Sequence, residues 1–173
     1  LSIKKTGDNI TVKYSEKAYM FRALGILSER ITEESFSISE TPRFYTNGVM
    51  IDCSRNGVTN IKTLKDILIQ LALMGHNWLM LYTEDTYEIE GEPYFGYMRG
   101  RYTHDELREI DDYANELGIE LIPCIQTLGH CAKFLRWDNA YGEITDTGDI
   151  LLAEEEKTYE FIEKMISSCR KVF

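Results

Sequence analysis

Hydrophobic and polar positions change rhythm once along this chain, near Pro42. Before that point, Ile10-Thr11-Val12-Lys13-Tyr14 alternates apolar with polar, the period of a half-buried strand. From Glu16 to about Arg30 the apolar spacing lengthens to that of a helix, with Ser15 where an N-cap belongs. Tyr19, Leu24, Leu27 and Ile31 are its predicted apolar face. Phe36-Ser37-Ile38-Ser39 predicts a further short strand, and Thr41-Pro42 breaks it, because proline disfavours helix in the residue before it. Residues 1–41 are thus expected to be the end of a small α+β domain, with a second domain from 42 to 173.

After Pro42 the pattern becomes strand, helix, strand, helix. Gly48-Val49-Met50-Ile51-Asp52-Cys53 is a nearly continuous apolar run, which suits a strand covered on both faces in a parallel sheet. A helix follows from about Asn60 to Met74, capped by Thr59 or Asn60, with Ile61, Leu64, Ile67, Leu68, Leu71 and Leu73 as its stripe. Gly75 stands at the position a left-handed helix terminus needs. Trp78 to Thr83 predicts a second strand. Thr103-x-x-Glu106 is a capping box for a helix whose stripe is Leu107, Ile110, Tyr113, Ala114 and Leu117, ended by Gly118. Ile119 to Ile125 predicts a third strand, with Pro123 signalling a strand end or bulge. A last helix is expected from about Glu154 to Val172, with Tyr159, Ile162, Ile166 and Cys169 inward. Serial βα units make either an open doubly wound sheet or a (β/α)8 barrel. The chain has no Gly-x-Gly-x-x-Gly and no phosphate-binding Gly-x-x-x-x-Gly-Lys motif, which removes weight from nucleotide-binding versions and calls for no cofactor.

Composition narrows the function classes. The chain has 173 residues, 43% hydrophobic and 28% charged, enough for a real core and too apolar for long disorder. A formal net charge of −10 argues against nucleic acid and anionic membrane surfaces as partners, since both reward basic patches. No apolar run is long enough to span a bilayer, and Leu1-Ser2-Ile3-Lys4-Lys5 lacks the apolar segment of a signal peptide. Cys53 and Cys124 sit in apolar strand-like runs, and no Cys-x-x-Cys pair occurs among the four cysteines. Buried reduced thiols and a cytoplasmic setting are expected.

Polar residues gather at the ends of the parallel strands: Asp52-Cys53-Ser54-Arg55-Asn56 after the first, Glu84-Asp85-Thr86-Tyr87-Glu88 after the second, Gln126-Thr127-Leu128-Gly129-His130 after the third. In a parallel barrel these ends lie on one side, which carries the active site. The Arg55 fork suits neighbouring sugar hydroxyls or a carboxylate; its structural alternative is a rim pair with Asp52 or Asp85. Asp85 is a candidate substrate contact or a turn cap. His130 is a candidate functional imidazole or a histidine bonded to backbone. His104 and His76 flank helix ends and read as surface or dipole residues. With three histidines, and no calcium-loop spacing around Glu84, Asp85 and Glu88, no metal site is expected. The segment from Tyr87 to Tyr102 is long for a βα connection and carries Tyr87, Tyr94, Phe95, Tyr97 and Tyr102. It reads either as a platform for sugar faces or as a loop packing its own aromatics.

These residues resemble family 20 glycoside hydrolases, the β-N-acetylhexosaminidases. Asp52-Cys53-Ser54-Arg55 is similar to that family's Asp-x-Ser-Arg at the first barrel strand. The stretch from Tyr102-Thr103 to Pro123, ending in Thr127-Leu128-Gly129-His130, resembles its second helix and third strand, which end in Asp-Thr-Pro-Gly-His. Leu81-Tyr82-Thr83-Glu84-Asp85-Thr86-Tyr87 looks most like a bacterial, cytoplasmic-type branch. The resemblance implies the first three βα units of a TIM barrel. It also implies removal of terminal β-linked N-acetylhexosamine by substrate-assisted retaining catalysis, with the substrate's acetamido oxygen as nucleophile. By position, Arg55 would bind ring hydroxyls, Asp85 would lie near the sugar, and His130 would support the acid/base end, with Asp52 and Glu84 supporting. Gln126 and Leu128 stand where the family has Asp and Pro.

The family's catalytic Asp-Glu pair belongs at the end of strand four. Here Asp-Glu occurs only at Asp105-Glu106, inside a predicted helix start. The pair is therefore expected beyond Phe173, the chain is expected to be inactive alone, and self-association or a missing C-terminal half-barrel is expected to cover its open sheet. The expected ligand is an N-acetylhexosamine-terminated oligosaccharide. Two other readings stay open: a non-catalytic module binding carbohydrate or a partner chain, and a different barrel enzyme working through Glu84, Asp85 and His130.

Overall fold

A computed structural model describes residues 1–55 and 57–173, so Asn56 of the first strand-end motif lies outside the described residues. The N-terminal part is a three-stranded antiparallel sheet of β1 (Ser2–Thr6), β2 (Asn9–Lys13) and β3 (Ser35–Ser39), in the order β2-β1-β3. One face packs on helix α1 (Lys17–Arg30) through Ile3, Ala23, Ile26 and Phe36. The central strand, β1, escaped the sequence pattern. Its inward Lys5 reads as polar, yet its stem is buried and its ammonium reaches the Glu33 carbonyl.

Helix α1 starts one residue late, with Glu16 at the N-cap and no side-chain cap, so Ser15 does not cap it. Its buried face is Ala18, Ala23, Gly25 and Ile26; the expected face residues Leu24 and Ile31 are exposed. The correction follows from close helix approach. A β-carbon on Gly25 would stand 2.2 Å from the Leu73 carbonyl oxygen of the neighbouring helix. Small residues therefore face the contact, and larger ones turn away.

After Pro42, three parallel strands lie in the order β4-β5-β6: β4 (Gly48–Asp52), β5 (Trp78–Thr83) and β6 (Glu120–Ile125). Helices α2 (Ile61–Met74) and α3 (His104–Glu116) make the crossovers. Asn60 caps α2 by accepting from the Thr63 N–H, and Gly75 closes it at φ 85°. Thr103 and Glu106 form the full capping box of α3. Leu79, Leu81 and Leu121 of the sheet and Leu64, Leu68 and Ile110 of the helices are fully buried or nearly so. Each such side chain contributes roughly 1.5–3 kcal/mol. Pro123 sits in uninterrupted register opposite Leu81, at neither a strand end nor a bulge. On the outer strand a proline's missing N–H can face the unpaired side.

Residues beyond β6 form elements that periodicity did not predict: short helices α4 (Ala132–Leu135) and α5 (Asp138–Tyr141), then a hairpin of β7 (Thr145–Thr147) and β8 (Ile150–Leu151). Helix α6 (Glu156–Arg170) follows, with Thr158, Phe161, Met165 and Ser168 inward. Tyr159 and Ile166, expected inside, are exposed. The buried stripe is offset by one residue because Phe161 fills an aromatic cluster with Phe95, Phe134 and Tyr141.

The small N-terminal unit docks against α2 and the turns entering β5 and β6. Lys17 donates to the Asn115 carbonyl at 2.9 Å, and Arg22 lies against Gly75. Both contacts lie at the N-terminal side of the sheet, leaving the C-terminal strand ends free for chemistry.

Candidate functional site

Strand register places the site. Met50, Met80 and Ile122 form one cross-strand row, and Asp52, Tyr82 and Cys124 form the next row toward the C-terminal ends. Both rows lie on the face opposite Leu79 and Leu121, which the helices cover, because strand side chains alternate.

The turn after β4 is built around the Asp52 carboxylate. Its Oδ1 accepts from the Ser54 N–H at 2.9 Å, the Ser54 hydroxyl at 2.8 Å and the Arg55 N–H at 3.2 Å. Its Oδ2 accepts from the Arg55 guanidinium at 2.6 Å. Burial pushes the Asp52 carboxyl up, but these hydrogen bonds outweigh it and hold the group down at about 2. Arg55 is raised above its ordinary value by the same pairing and by Tyr82.

Arg55 is therefore fixed, yet half exposed. A second guanidinium nitrogen donates to the Tyr82 hydroxyl at 3.3 Å and lies 3.5 Å from Glu84 Oε1, while the Tyr82 hydroxyl donates to Glu84 at 3.3 Å. The guanidinium also sits over the Tyr82 ring, 4.9 Å from its centroid. Arg55 pairs with Asp52 and Glu84, not with Asp85. Asp85 is 1% exposed and accepts at Oδ1 from Arg99 Nε at 3.1 Å; its Oδ2 is buried with no partner among the described residues. Arg99 reaches on to donate to the Ser54 carbonyl.

His130 is exposed, at φ 58°, and no described hydrogen bond or ion pair joins it to the Arg55 cluster. Its segment is held by the β7–β8 hairpin: the Leu151 N–H donates to the Leu128 carbonyl, and the Cys131 N–H to the Asp149 carbonyl. His104 is not the surface residue expected. It lies 3.1 Å from Glu88 through Nδ1 and 2.7 Å from the Ser168 hydroxyl through Nε2. His76 has its Nδ1 buried without a partner among the described residues. Glu84, Asp85 and Glu88 turn to Arg55, Arg99 and His104 respectively, so these carboxylates diverge instead of converging on an ion.

The Tyr87 to Tyr102 loop mixes its two readings. Tyr87, Phe95 and Tyr102 are buried, whereas Tyr94 and Tyr97 remain exposed beside Trp137. Asp105 and Glu106 are occupied at the start of α3, Asp105 by Arg108 and Glu106 by the capping box. A cavity of 540 Å³, lined by Tyr19, Glu40, Pro42, Arg43, Phe44 and Tyr45 among others, shares no residue with the strand-end cluster.

The catalytic-domain model described as glycosyl hydrolase family 20 matches residues 44–173. The chain belongs to this family. It is 24% identical to beta-hexosaminidase 1 of Coccidioides posadasii over all of the chain and 34% of that protein. It is 31% identical to a probable beta-hexosaminidase of Arthroderma benhamiae over 70% of the chain and 20% of that protein. In structure it superimposes on a GH20 exo-beta-N-acetylglucosaminidase from Vibrio harveyi, solved with N-acetylglucosamine, at a TM-score of 0.84 and 19% identity, over 99% of the chain and 34% of that protein. The chain thus spans about a third or less of these relatives. That likeness shows the fold, a mixed α/β arrangement with part of a family 20 barrel.

Within this family 20 chain, sequence reading found Asp52, Arg55, Glu84 and Asp85 but missed Tyr82 and Arg99. Tyr82 carried only a partial signal: its strand was predicted, but its place opposite Asp52 is set by the strand register. Arg99 carried none, because its reach depends on how the loop folds back.

Proposed function

We propose that this chain supplies the sugar-gripping wall of a β-N-acetylhexosaminidase that removes terminal β-linked N-acetylhexosamine from oligosaccharides. The observation that carries the reading is Arg55, held by Asp52, Tyr82 and Glu84 yet half exposed at the end of β4. A guanidinium with spare in-plane donors suits adjacent ring hydroxyls. Its charge is more than offset: three carboxylates, Asp52, Glu84 and Asp85, stand against the two guanidinium groups of Arg55 and Arg99. Such a site favours a neutral polyol over an anion. Asp52 and Glu84 support Arg55, Asp85 acts from behind the wall, and His130 serves the acid/base end from the segment after β6.

The chemistry is substrate-assisted: the acetamido oxygen attacks the anomeric carbon while a carboxylic acid protonates the leaving oxygen. That acid is not assigned to Asp105-Glu106, whose side chains serve α3. The open edges of β4 and β6 and the half-exposed Met50 support a sheet completed by further strands or by self-association. A reducing, cytoplasmic setting goes with this reading, supported by the free thiols of Cys53, Cys124, Cys131 and Cys169.

The test is hydrolysis of chromogenic β-GlcNAc and β-GalNAc glycosides by this chain and by the full-length gene product. Turnover by the full-length protein is expected, with Arg55→Ala lowering kcat/KM roughly ten- to a hundredfold, the worth of charge-assisted hydrogen bonds to the sugar. Saturable sugar binding by this chain alone, without turnover, would favour the non-catalytic module. Turnover by the 173-residue chain alone, abolished by Asp85→Asn, would favour chemistry through Glu84, Asp85 and His130.

A further inference from the structure

Arg99 does not belong to any strand end, yet it touches the site at two points. Its Nε donates to Asp85 Oδ1 at 3.1 Å, and its terminal nitrogen donates to the Ser54 carbonyl. Ser54 is the middle of the turn whose other side is gripped by Asp52. The turn carrying Arg55 is therefore clamped from both sides, by a carboxylate on its N–H groups and a guanidinium on its carbonyl.

The loop that delivers Arg99 is built for this reach. A β-carbon on Gly96 would stand 2.3 Å from the Asp85 carbonyl oxygen, and the backbone there is at φ 68°. Only glycine lets the loop lie directly on Asp85. From Gly96 a tight turn follows, closed by the Arg99 N–H donating to the Gly96 carbonyl at 3.1 Å. Met98 takes φ 58° in that turn and is 82% exposed. A non-glycine residue in the left-handed region is strained, and surrounding contacts must hold it there. The next residue, Arg99, is anchored there, only 18% exposed beside Asp85.

We propose that Arg99 is a positioning residue for Arg55: it locks the Ser54 carbonyl onto buried Asp85 and so sets the height and direction of the sugar-binding guanidinium. The inference rests on the reading of Arg55 given above. It also gives the long aromatic loop a role: the loop's fold and the grip on the sugar are one mechanical unit.

The test compares Arg99→Lys, Arg99→Met and Arg55→Ala in the full-length gene product, using a chromogenic β-GlcNAc glycoside and NMR of the arginine guanidinium groups. Lysine keeps a positive charge beside Asp85 but lacks the planar fork that spans two acceptors. Arg99→Lys is expected to keep the parent melting temperature within a few degrees, to raise KM roughly tenfold with kcat within about threefold, and to shift the Arg55 guanidinium resonances toward free arginine. Arg99→Met is expected to do the same more strongly. If it fails to fold, Arg99→Lys decides alone. An Arg99→Lys protein with parent KM and parent Arg55 resonances overturns the proposal, because charge neutralisation would then be all that Arg99 supplies. If Arg55→Ala leaves KM unchanged the sugar-binding reading fails, and if no turnover is seen the hydrolase reading fails; in either case the Arg55 resonances in Arg99→Lys decide the positioning role by themselves, shifted resonances upholding it and unmoved ones sinking it.

Discussion

At the scale of single residues, Asp52 is the keystone of the wall, since one carboxylate satisfies two backbone N–H groups, a hydroxyl and a guanidinium. Its folded value of about 2 lies below the ordinary 3.8. A depressed folded value stabilises the turn above the ordinary value, and the contribution is lost as pH falls through about 2. An NMR titration of the Asp52 carboxyl carbon should give a midpoint near 2, and Arg55→Met should move it upward. A midpoint near 3.8 would mean the turn is not held as described. Asp52, Ser54 and Arg55 were legible in sequence because local spacing alone lets them meet. Tyr82 and Arg99 were less so: what ties them to the Arg55 turn is Arg55 itself, 27 residues from Tyr82, and the Ser54 carbonyl, 45 residues from Arg99.

At the scale of elements, the caps and ends of α2 and α3 followed the residue types, whereas Ser15 does not cap α1. Asn60, Gly75, Thr103 and Gly118 all act where their chemistry suggested. These motifs bond within a few residues and need no neighbour. Buried faces were harder. The buried stripe of α6 lies one residue out of phase with the sequence pattern, because Phe161 joins an aromatic cluster drawn from four separate segments. The loop before α3 offers a clean test of close approach. Gly96 and Gly100 have nearly the same left-handed backbone, φ 68° and 67°, but only Gly96 faces a carbonyl; Gly100 has open space. Alanine at Gly100 should cost the ~1–2 kcal/mol of backbone strain alone. Alanine at Gly96 should cost about 1–3 kcal/mol more, from the added overlap. Equal urea midpoints for the two variants would contradict the tight seat on Asp85.

At the scale of the whole molecule, the small sheet and its helix dock beneath the parallel strands while the site opens above them. Docking depends on the α1–α2 contact at Gly25. Gly25→Ala should lower stability by about 1–3 kcal/mol in urea denaturation, since backbone and not a flexible side chain blocks the new β-carbon. The Asp52 titration should be unchanged in that variant, because the strand ends lie on the far side of the sheet. A shifted Asp52 midpoint would show that the two sides are coupled.

Alternation, helix period, caps and the strand-end motifs determined the βα series, the change of architecture near Pro42 and the family resemblance. All of these are encoded in residues close together along the chain. Tertiary structure alone decided which helix faces are buried, that β1 with its Lys5 is a central strand, and that the chain after β6 folds into a hairpin supporting His130. It also decided how the charges divide, Arg55 to Asp52 and Glu84, Arg99 to Asp85. The physical reason is the same in each case. A side chain's partner is chosen by what packing brings within a few ångströms, and packing is settled between segments that carry no sequence mark of one another.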